Sequence, residues 1–311
     1  MWTYLYKRLL SAAITVWFIA TATFFAMHAV PGDPLGNERA VSVEIQRNLQ
    51  VKYGLDQPLP QQYLRYIGNM LRGDFGISYT QQNRRVNDII REHFPVSALL
   101  GIVALGIATL GAIVWGALAA TYRDRWPDAL IMLAVVLGVS VPSFVLAAMA
   151  QWGLLQLNRW LGFSVLPVAG WGTFAHVLMP ATILGLGTMA YMTRLLRASL
   201  LEVAQADYLR TARAKGLSAR RIFFRHQLRN AILPVITVLG PAIAAVTTGG
   251  FVVELIFAIP GLGRYFVEAV QQLDYTVIMG TTVFYGAFLV LMVLLVDIAY
   301  GLVDPRIRVG R

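Results

Sequence analysis

The chain has 311 residues, 57% hydrophobic and only 14% charged, where a soluble domain carries about 25% charged residues; an ordinary water-soluble globule is excluded and the membrane class remains. Its net charge is +10, carried by basic residues that flank apolar segments, which marks the cytoplasmic side of a bilayer and not a nucleic-acid surface. It has no cysteine, so disulfides, cysteine-ligated metals and thiol chemistry are excluded too.

Crossing hydrocarbon as a helix takes about 20 apolar residues. Six runs qualify: 9–30, 97–121, 129–157, 174–193, 231–253 and 277–303. They are continuous and not alternating, which argues against a barrel. Lys7 and Arg8 precede the first run, but its apolar stretch is longer than the core of a signal peptide, so it reads as an uncleaved anchor.

An external loop follows, 31–96. Its turn chemistry lies at Pro31-Gly32-Asp33-Pro34 and at 54–60. Between them and the second run, Tyr63, Ile67 and Met70, with Tyr66 and Leu71 beside them, fall at helical spacing. That stripe suits a short helix lying on the membrane or on the other spans, or a docking surface for an external partner. In the second run Gly101, Gly106, Gly111 and Gly116 recur every five residues, a spacing that leaves one helical face and serves close packing only.

The segment 194–230 is basic. Leu201, Ala204, Tyr208 and Ala212 repeat at helical spacing, Gly216 terminates the helix, and Ser218 is placed to cap a second one. Ile222, Phe223 and Phe224 are apolar among basic neighbours. The expected form is helix, glycine turn, helix. Periodicity alone leaves open an amphipathic pair on anionic lipid and a plug for a cytoplasmic partner.

In the fifth run Pro234 and Pro241 lie on nearly one face and favour bends, and Thr247-Thr248-Gly249-Gly250 adds weak helix. Glu254 stands at its outer end. Asp297 is the acid well within a run; it lies near the inner end of the sixth and reads as a structural acceptor more than as part of an ion relay.

Orientation follows from the basic residues. Lys7 and Arg8, Arg123 and Arg125, nine residues between Arg194 and Arg229, and Arg306, Arg308 and Arg311 fall on one side. The short loops opposite hold Arg159 and Arg264. Both termini are expected in the cytoplasm.

Asp207-Tyr208-Leu209-Arg210-Thr211-Ala212-Arg213-Ala214-Lys215-Gly216-Leu217, then His226, Arg229-Asn230-Ala231 and Leu233-Pro234, resemble the cytoplasmic coupling motif of ATP-binding-cassette importer permeases, closest to the peptide and nickel branch. Gly54-Leu55-Asp56-Gln57-Pro58-Leu59, Gly73-Asp74-Phe75-Gly76, Pro260-Gly261-Leu262-Gly263, Asp274-Tyr275 and Asp304-Pro305-Arg306 extend the likeness over nearly the whole chain. Val139 to Phe144 and Tyr275 to Gly280 look most like the B-type permease of oligopeptide importers. The general importer motif opens Glu-Ala-Ala, but Arg210, Thr211 and Ala212 stand there, and Pro234 falls 18 residues after Gly216 instead of 13; both departures fit the peptide branch.

The resemblance implies an all-α integral membrane protein: a type I importer permease of six transmembrane helices in a single domain, with a long external loop and a cytoplasmic helix-turn-helix coupling segment. It implies a heterodimer with a second, related permease subunit, two cytoplasmic ATPase subunits, an external substrate-binding protein, and a bacterial cytoplasmic membrane. Asp207, Tyr208, Ala212, Ala214, Lys215, Gly216 and His226 would couple to the ATPases; Glu254, Gly249, Gly250 and Pro142 would line or gate the path. Oligopeptides are the expected cargo, with dipeptides, glutathione, a nickel chelate or a short glycan as alternatives. An ion-coupled carrier is the competing class, and it lacks paired intramembrane charges or a visible inverted repeat here. No phosphate-binding loop, nucleophile elbow or H-E-x-x-H occurs, so no catalytic residue, cofactor or metal site is expected on this chain. The four histidines, His28, His93, His176 and His226, read as structural.

Overall fold

The computed structural model describes residues 2–30, 51, 54–81, 83–248 and 250–303. The elements are helical: α1 Trp2–Ala29, α2 Leu59–Leu71, α3 Val86–Thr121, α4 Trp126–Ser140, α5 Ser143–Leu161, α6 Phe174–Val203, α7 Asp207–Ala214 and α8 Ala219–Ile222, then a π-helical turn Phe223–Gln227. After it come α9 Leu228–Ala231, α10 Leu233–Thr248, α11 Phe251–Ile256, α12 Leu262–Gln272 and α13 Tyr275–Val303. Among the described residues α1, α3, α6 and α13 are each long and apolar enough to cross a membrane.

The run expected as one span at 129–157 is broken. α4 and α5 meet at a 107° bend, because the Pro142 ring forces the preceding Val141 into an extended conformation (φ −90°, ψ 126°) that ends α4. Counted as one span, they bring the helices long and apolar enough to cross from four to five among the described residues, and α10 is a shorter apolar helix. The fifth run divides too: α10 stops at Thr248, and Gly250 starts α11. Gly249, the Pro31 to Pro34 turn and the Asp304 to Arg306 motif lie outside the described residues, as does the side chain of Asp297.

The chain separates into two compact units. The first comprises Met1–Ser97 and Pro260–Leu294, the second Ala98–Ile259 and Leu295–Arg311. In the first, Phe24, Tyr275 and Met279 form a buried cluster that Tyr63 and Tyr66 of α2 complete. The stripe read on α2 thus packs inward on α1, with Tyr63 hydrogen-bonded to Thr21 at 2.8 Å. Leu71, assigned to the same stripe, points out and is 78% exposed.

Asp274, 1% exposed, organises this unit. Oδ2 accepts from the Ser78 and Thr80 hydroxyls and from the Tyr79 and Thr80 amides at 3.1 and 3.2 Å. Oδ1 accepts from Val277 N at 3.2 Å and so caps α13. One carboxylate therefore ties the hairpin closed by the Ile77–Arg85 bridge to the start of α13. The approach is close: a Cβ on Gly76, whose φ is +87°, would stand 2.9 Å from Thr276.

The second unit has its core where α3, α6 and α10 meet, around Ala112, Met192, Leu196, Leu200 and Val235. Small residues permit it. A Cβ on Gly185 would fall 2.6 Å from the Ala104 carbonyl, and one on Gly116 3.1 Å from Leu196. Gly111 abuts Met189 in the same way, while Gly106 faces open space, so only part of the five-residue glycine series serves packing. Outward faces are apolar (Trp152 65%, Leu110 68% exposed), and Trp126 and Trp160 stand exposed at the two ends of the bent pair, where interfacial tryptophans belong.

Asp274→Ala would strand three hydroxyls and three amides; buried donors left without an acceptor cost about 1–3 kcal/mol each. Thermal unfolding in nanodiscs should show a large loss for Asp274→Ala and a smaller one for Asp274→Asn, which keeps an acceptor for Val277. Equal melting of Asp274→Ala and wild type would remove Asp274 from this role.

Candidate functional site: the inner helix-turn-helix

Helix α6 does not stop with its apolar run but continues to Val203, so it carries the inner segment on a rigid overhang. After Ala204 and the extended Ala206, α7 begins with Asp207 in its first turn and Arg213 in its last, each matching the helix dipole. Leu209 and Ala212 are its buried residues, packed with Ile222 of α8 and with Val203 and Leu217. Of the periodic set expected from sequence, Ala212 faces inward, whereas Tyr208 is 43% exposed. The inward partner is Leu209, one position on, because α7 is a separate helix and does not continue the phase set by Leu201 and Ala204.

Gly216 has φ +74°. Its amide donates to Arg213 O at 2.9 Å and that of Leu217 to Ala212 O at 3.3 Å, the paired bonds of a Schellman terminus, with Leu217 closing on the α7 core. Nothing lies within 4 Å of where a Cβ on Gly216 would sit; the demand for glycine is conformational, not steric. Ser218 occupies the N-cap position of α8 in extended geometry, but its side chain makes no cap bond, a correction to its expected role.

The following residues form the π-helical turn, a form that concentrates at functional sites. Gln227 donates from it to Leu200 O at 3.0 Å and fastens it to α6. Asn230 donates to the Tyr208 hydroxyl and to His226 O, each at 2.9 Å. Tyr208 and His226 are thus drawn together across the turn. Asp207, Tyr208, Ala214, Lys215 and Gly216 are exposed, as is Phe224 at 59%. The Arg210–Asp207 pair, at 3.5 Å and open to water, contributes little.

A second anchor escaped the sequence reading. Arg197 on the overhang donates Nε and Nη2 to the two carboxylate oxygens of Asp128 at 2.7 and 2.6 Å. Asp128 is 4% exposed and also accepts from Asp124 N at 3.1 Å. This bidentate pair locks the first turn of α4 to α6 two turns before the end of α6. The available signal was an acid at the edge of an apolar run beside a basic loop.

The pathway candidates are dispersed in the second unit. Pro142 makes the α4–α5 bend. Glu254 is 2% exposed on α11, and Gly250 beside it is close-packed: an added Cβ would stand 3.4 Å from Leu184 and 3.6 Å from the Glu254 carboxylate. Gln151 of α5 donates to Ile256 O at 2.9 Å, holding the end of α11. No cluster of metal-ligating side chains occurs among the described residues. His28 and His176 are engaged in local hydrogen bonds, to Phe24 O and Thr173, and His93 in a long-range one to Pro260 O.

Two family models match the chain. Residues 112–309 match the binding-protein-dependent transport system inner membrane component, and 1–101 match the N-terminal membrane component of such systems. The chain is 45% identical over 308 residues to the dipeptide transport system permease protein DppB of Bacillus subtilis, covering 99% of this chain and 98% of that one. It is 40% identical over 311 residues to the oligopeptide transport system permease protein OppB of Haemophilus influenzae, covering 99% and 100%. Among solved structures, an amino acid ABC transporter shares the fold at 16% identity and TM-score 0.52, covering 70% of this chain and 94% of that one. The methionine transporter MetNI does so at 17% identity and TM-score 0.52, covering 69% and 94%.

Because the space at Gly216 is open, substitutions there report φ alone. Gly216→Val should destabilise the α7–α8 turn by about 1–2 kcal/mol, and Gly216→Asn, tolerant of the left-handed region, by less. Trypsin cleavage after Lys215 in nanodisc-embedded protein should accelerate in that order. Equal cleavage of all three would rule out the Schellman constraint.

Proposed function

We propose, from the premise that the chain belongs to the family of binding-protein-dependent transport system inner membrane components, that it forms half of the translocation path for peptides in an ATP-binding-cassette importer. Membership makes it a transport component and not an enzyme. The observation that carries the cargo reading is full-length similarity to peptide permeases, at 45% and 40% identity. One of those relatives is named for dipeptides and the other for oligopeptides, so peptides of two residues and longer both fall within the proposal.

The proposed assembly has a second, related permease subunit, two cytoplasmic ATPases and an external binding protein. The exposed residues of the inner turn, Asp207, Tyr208, Ala214, Lys215 and Gly216, would receive the ATPases, with Ala212 holding α7 in place and His226 tied to Tyr208 through Asn230. Motion would pass through Leu209 and Gln227 to α6, and through Arg197–Asp128 to α4. The α4–α5 bend at Pro142 and the junction of α10 and α11, with Gly249, Gly250 and Glu254, would form the moving part of the path. A bare divalent cation would need several oxygen or imidazole ligands; peptides need a wide, wet and unselective path, which a threonine- and glycine-rich junction suits.

Both termini are placed inside by the charge count. Cysteines introduced at Asn83 and Ser164, both exposed, should react from outside with an impermeant thiol reagent in intact cells, and one at Ser218 should not. Labelling at Ser218 would reverse the orientation.

Cells lacking this chain and other peptide importers, supplied with an essential amino acid only as di- to pentapeptides, should fail to grow, and the free amino acid should rescue them. Restored uptake on adding back wild type but not Gly216→Val would tie transport to the inner turn. Unimpaired growth of the deletion strain would refute peptide cargo.

A further inference from the structure

Helix α2 has an apolar arc wider than its contact with α1. Tyr63 and Tyr66 fill that contact, with ring centroids 5.4 and 5.5 Å from Phe24. Beyond it on the arc come Leu64 and Leu71, seven positions apart and so on one face. They are 69% and 78% exposed. Gly68 lies between them on that face, with nothing within 4 Å of where a Cβ would sit. The remaining arc is polar: Gln61, Arg65 and Arg72 are exposed, and no acid occurs between Leu59 and Arg72. An apolar face backed by a basic one is the pattern of a helix that lies in a membrane interface.

What covers the free flank follows from where α2 sits on α1. Its anchor points there run from Thr21, bonded to Tyr63 at 2.8 Å, to His28, bonded to Gln62 at 3.2 Å. The apolar stretch of α1 is Tyr6–Ala29, 24 residues, about 36 Å long at about 1.5 Å per residue. The hydrocarbon is about 30 Å thick. Even with the excess shared between the two ends, Thr21 lies inside the hydrocarbon and His28 at its border. A helix anchored over that depth sits where headgroups meet acyl chains, not in bulk water. The exposed surface of α1 also runs up to it: Phe18 is 65% and Phe25 48% exposed, and Phe25 stacks on Tyr63 with centroids 5.6 Å apart. A water-soluble partner would have to reach below the headgroups to cover Leu64 and Leu71, whereas lipid is already there.

We propose that α2 is an interfacial helix, its Leu64–Leu71 flank buried at the acyl-chain border of the leaflet it abuts and its Arg65 and Arg72 level with the headgroup phosphates. Long cationic side chains reach such phosphates while their stems stay on apolar surface. Only the crossing of the bilayer by α1 is required, and either orientation of the chain serves. Tyr66 and Tyr79 pack on the same buried cluster of Phe24, Tyr275 and Met279. The depth at which lipid holds α2 therefore also sets the depth of the hairpin that Asp274 ties to α13.

The absence of cysteine allows a fluorescent label to be placed at one position at a time. Leu64→Cys, Leu71→Cys and Arg65→Cys, each labelled with an environment-sensitive nitrobenzoxadiazole probe, are purified with whatever subunits accompany the chain and reconstituted in nanodiscs. Positions 64 and 71 should emit to the blue of position 65. They should lose more fluorescence to a lipid spin-labelled near its headgroup than to iodide in the water, and position 65 should show the reverse. Iodide quenching at either leucine position as strong as at position 65 would make the flank water-facing and overturn the proposal. Protection of both leucine positions from both quenchers would mean that a protein surface covers the flank, which overturns lipid as its occupant. Stronger quenching by a spin label at the end of the acyl chain than by one near the headgroup would place α2 deep in the bilayer and overturn its interfacial position.

Discussion

A backbone in hydrocarbon must close its own hydrogen bonds, and nearly every feature of this protein follows from that constraint. Long uninterrupted helices satisfy it without help. Where the helices break, side chains supply the missing partners. Gln151 donates to Ile256 O, at the end of the short α11, and to Val168 O in the loop before α6. Gln227 donates to Leu200 O beside the π-helical turn. Asp274 accepts from two hairpin amides and caps α13. At these three breaks a polar side chain reaches the irregular backbone.

Two of the buried anchors are carboxylates stabilised in different ways. Asp128 faces a guanidinium in bidentate geometry, an arrangement in which losing Arg197 leaves a buried carboxylate and typically costs about 3–5 kcal/mol. Asp274 is held by hydroxyl and amide dipoles alone among the contacts described for it. The ion pair fixes how one long helix sits on another. The dipole network fixes the shape of a loop. That division suits their positions: Asp128 holds the end of α6 that leads into α7, and Asp274 holds the hairpin against the start of α13.

The apolar runs, the position of Gly216 and the inner helix-turn-helix were legible in the sequence because each rests on local physics: hydrocarbon thickness, φ preference and periodicity. The break in the third run had a local cause, Val141-Pro142, yet an apolar count is blind to it. The phase error on α7, where Leu209 and not Tyr208 faces inward, arose from treating two helices as one; nothing in the residues around Ala204 forces the interruption. Helix α3 begins at Val86 and passes through Pro95, where composition alone marked a loop end. Least legible were the contacts between residues far apart in the chain. Arg197 and Asp128 are 69 positions apart and Ser78 and Asp274 are 196 apart, and no local pattern pairs them.

In the proposed importer, force applied at the inner turn must reach the spans without being absorbed on the way. Helix α6 is well suited to this, since it runs unbroken from Phe174 to Val203 and is gripped near its inner end by Asp128 at Arg197 and by Gln227 at Leu200. The compliant points lie beyond the Asp128 grip: the Schellman glycine, with open space where a side chain would be, and the start of the π-helical turn, whose last residue Gln227 holds it to Leu200 O. A partner pressing on Tyr208 or Phe224 would therefore rotate α7 and α8 about these two points until the packed residues Leu209, Ala212 and Ile222 transmit the load to Val203. Compliance outside the grip and stiffness within it let the segment seat itself on a partner and still move the span.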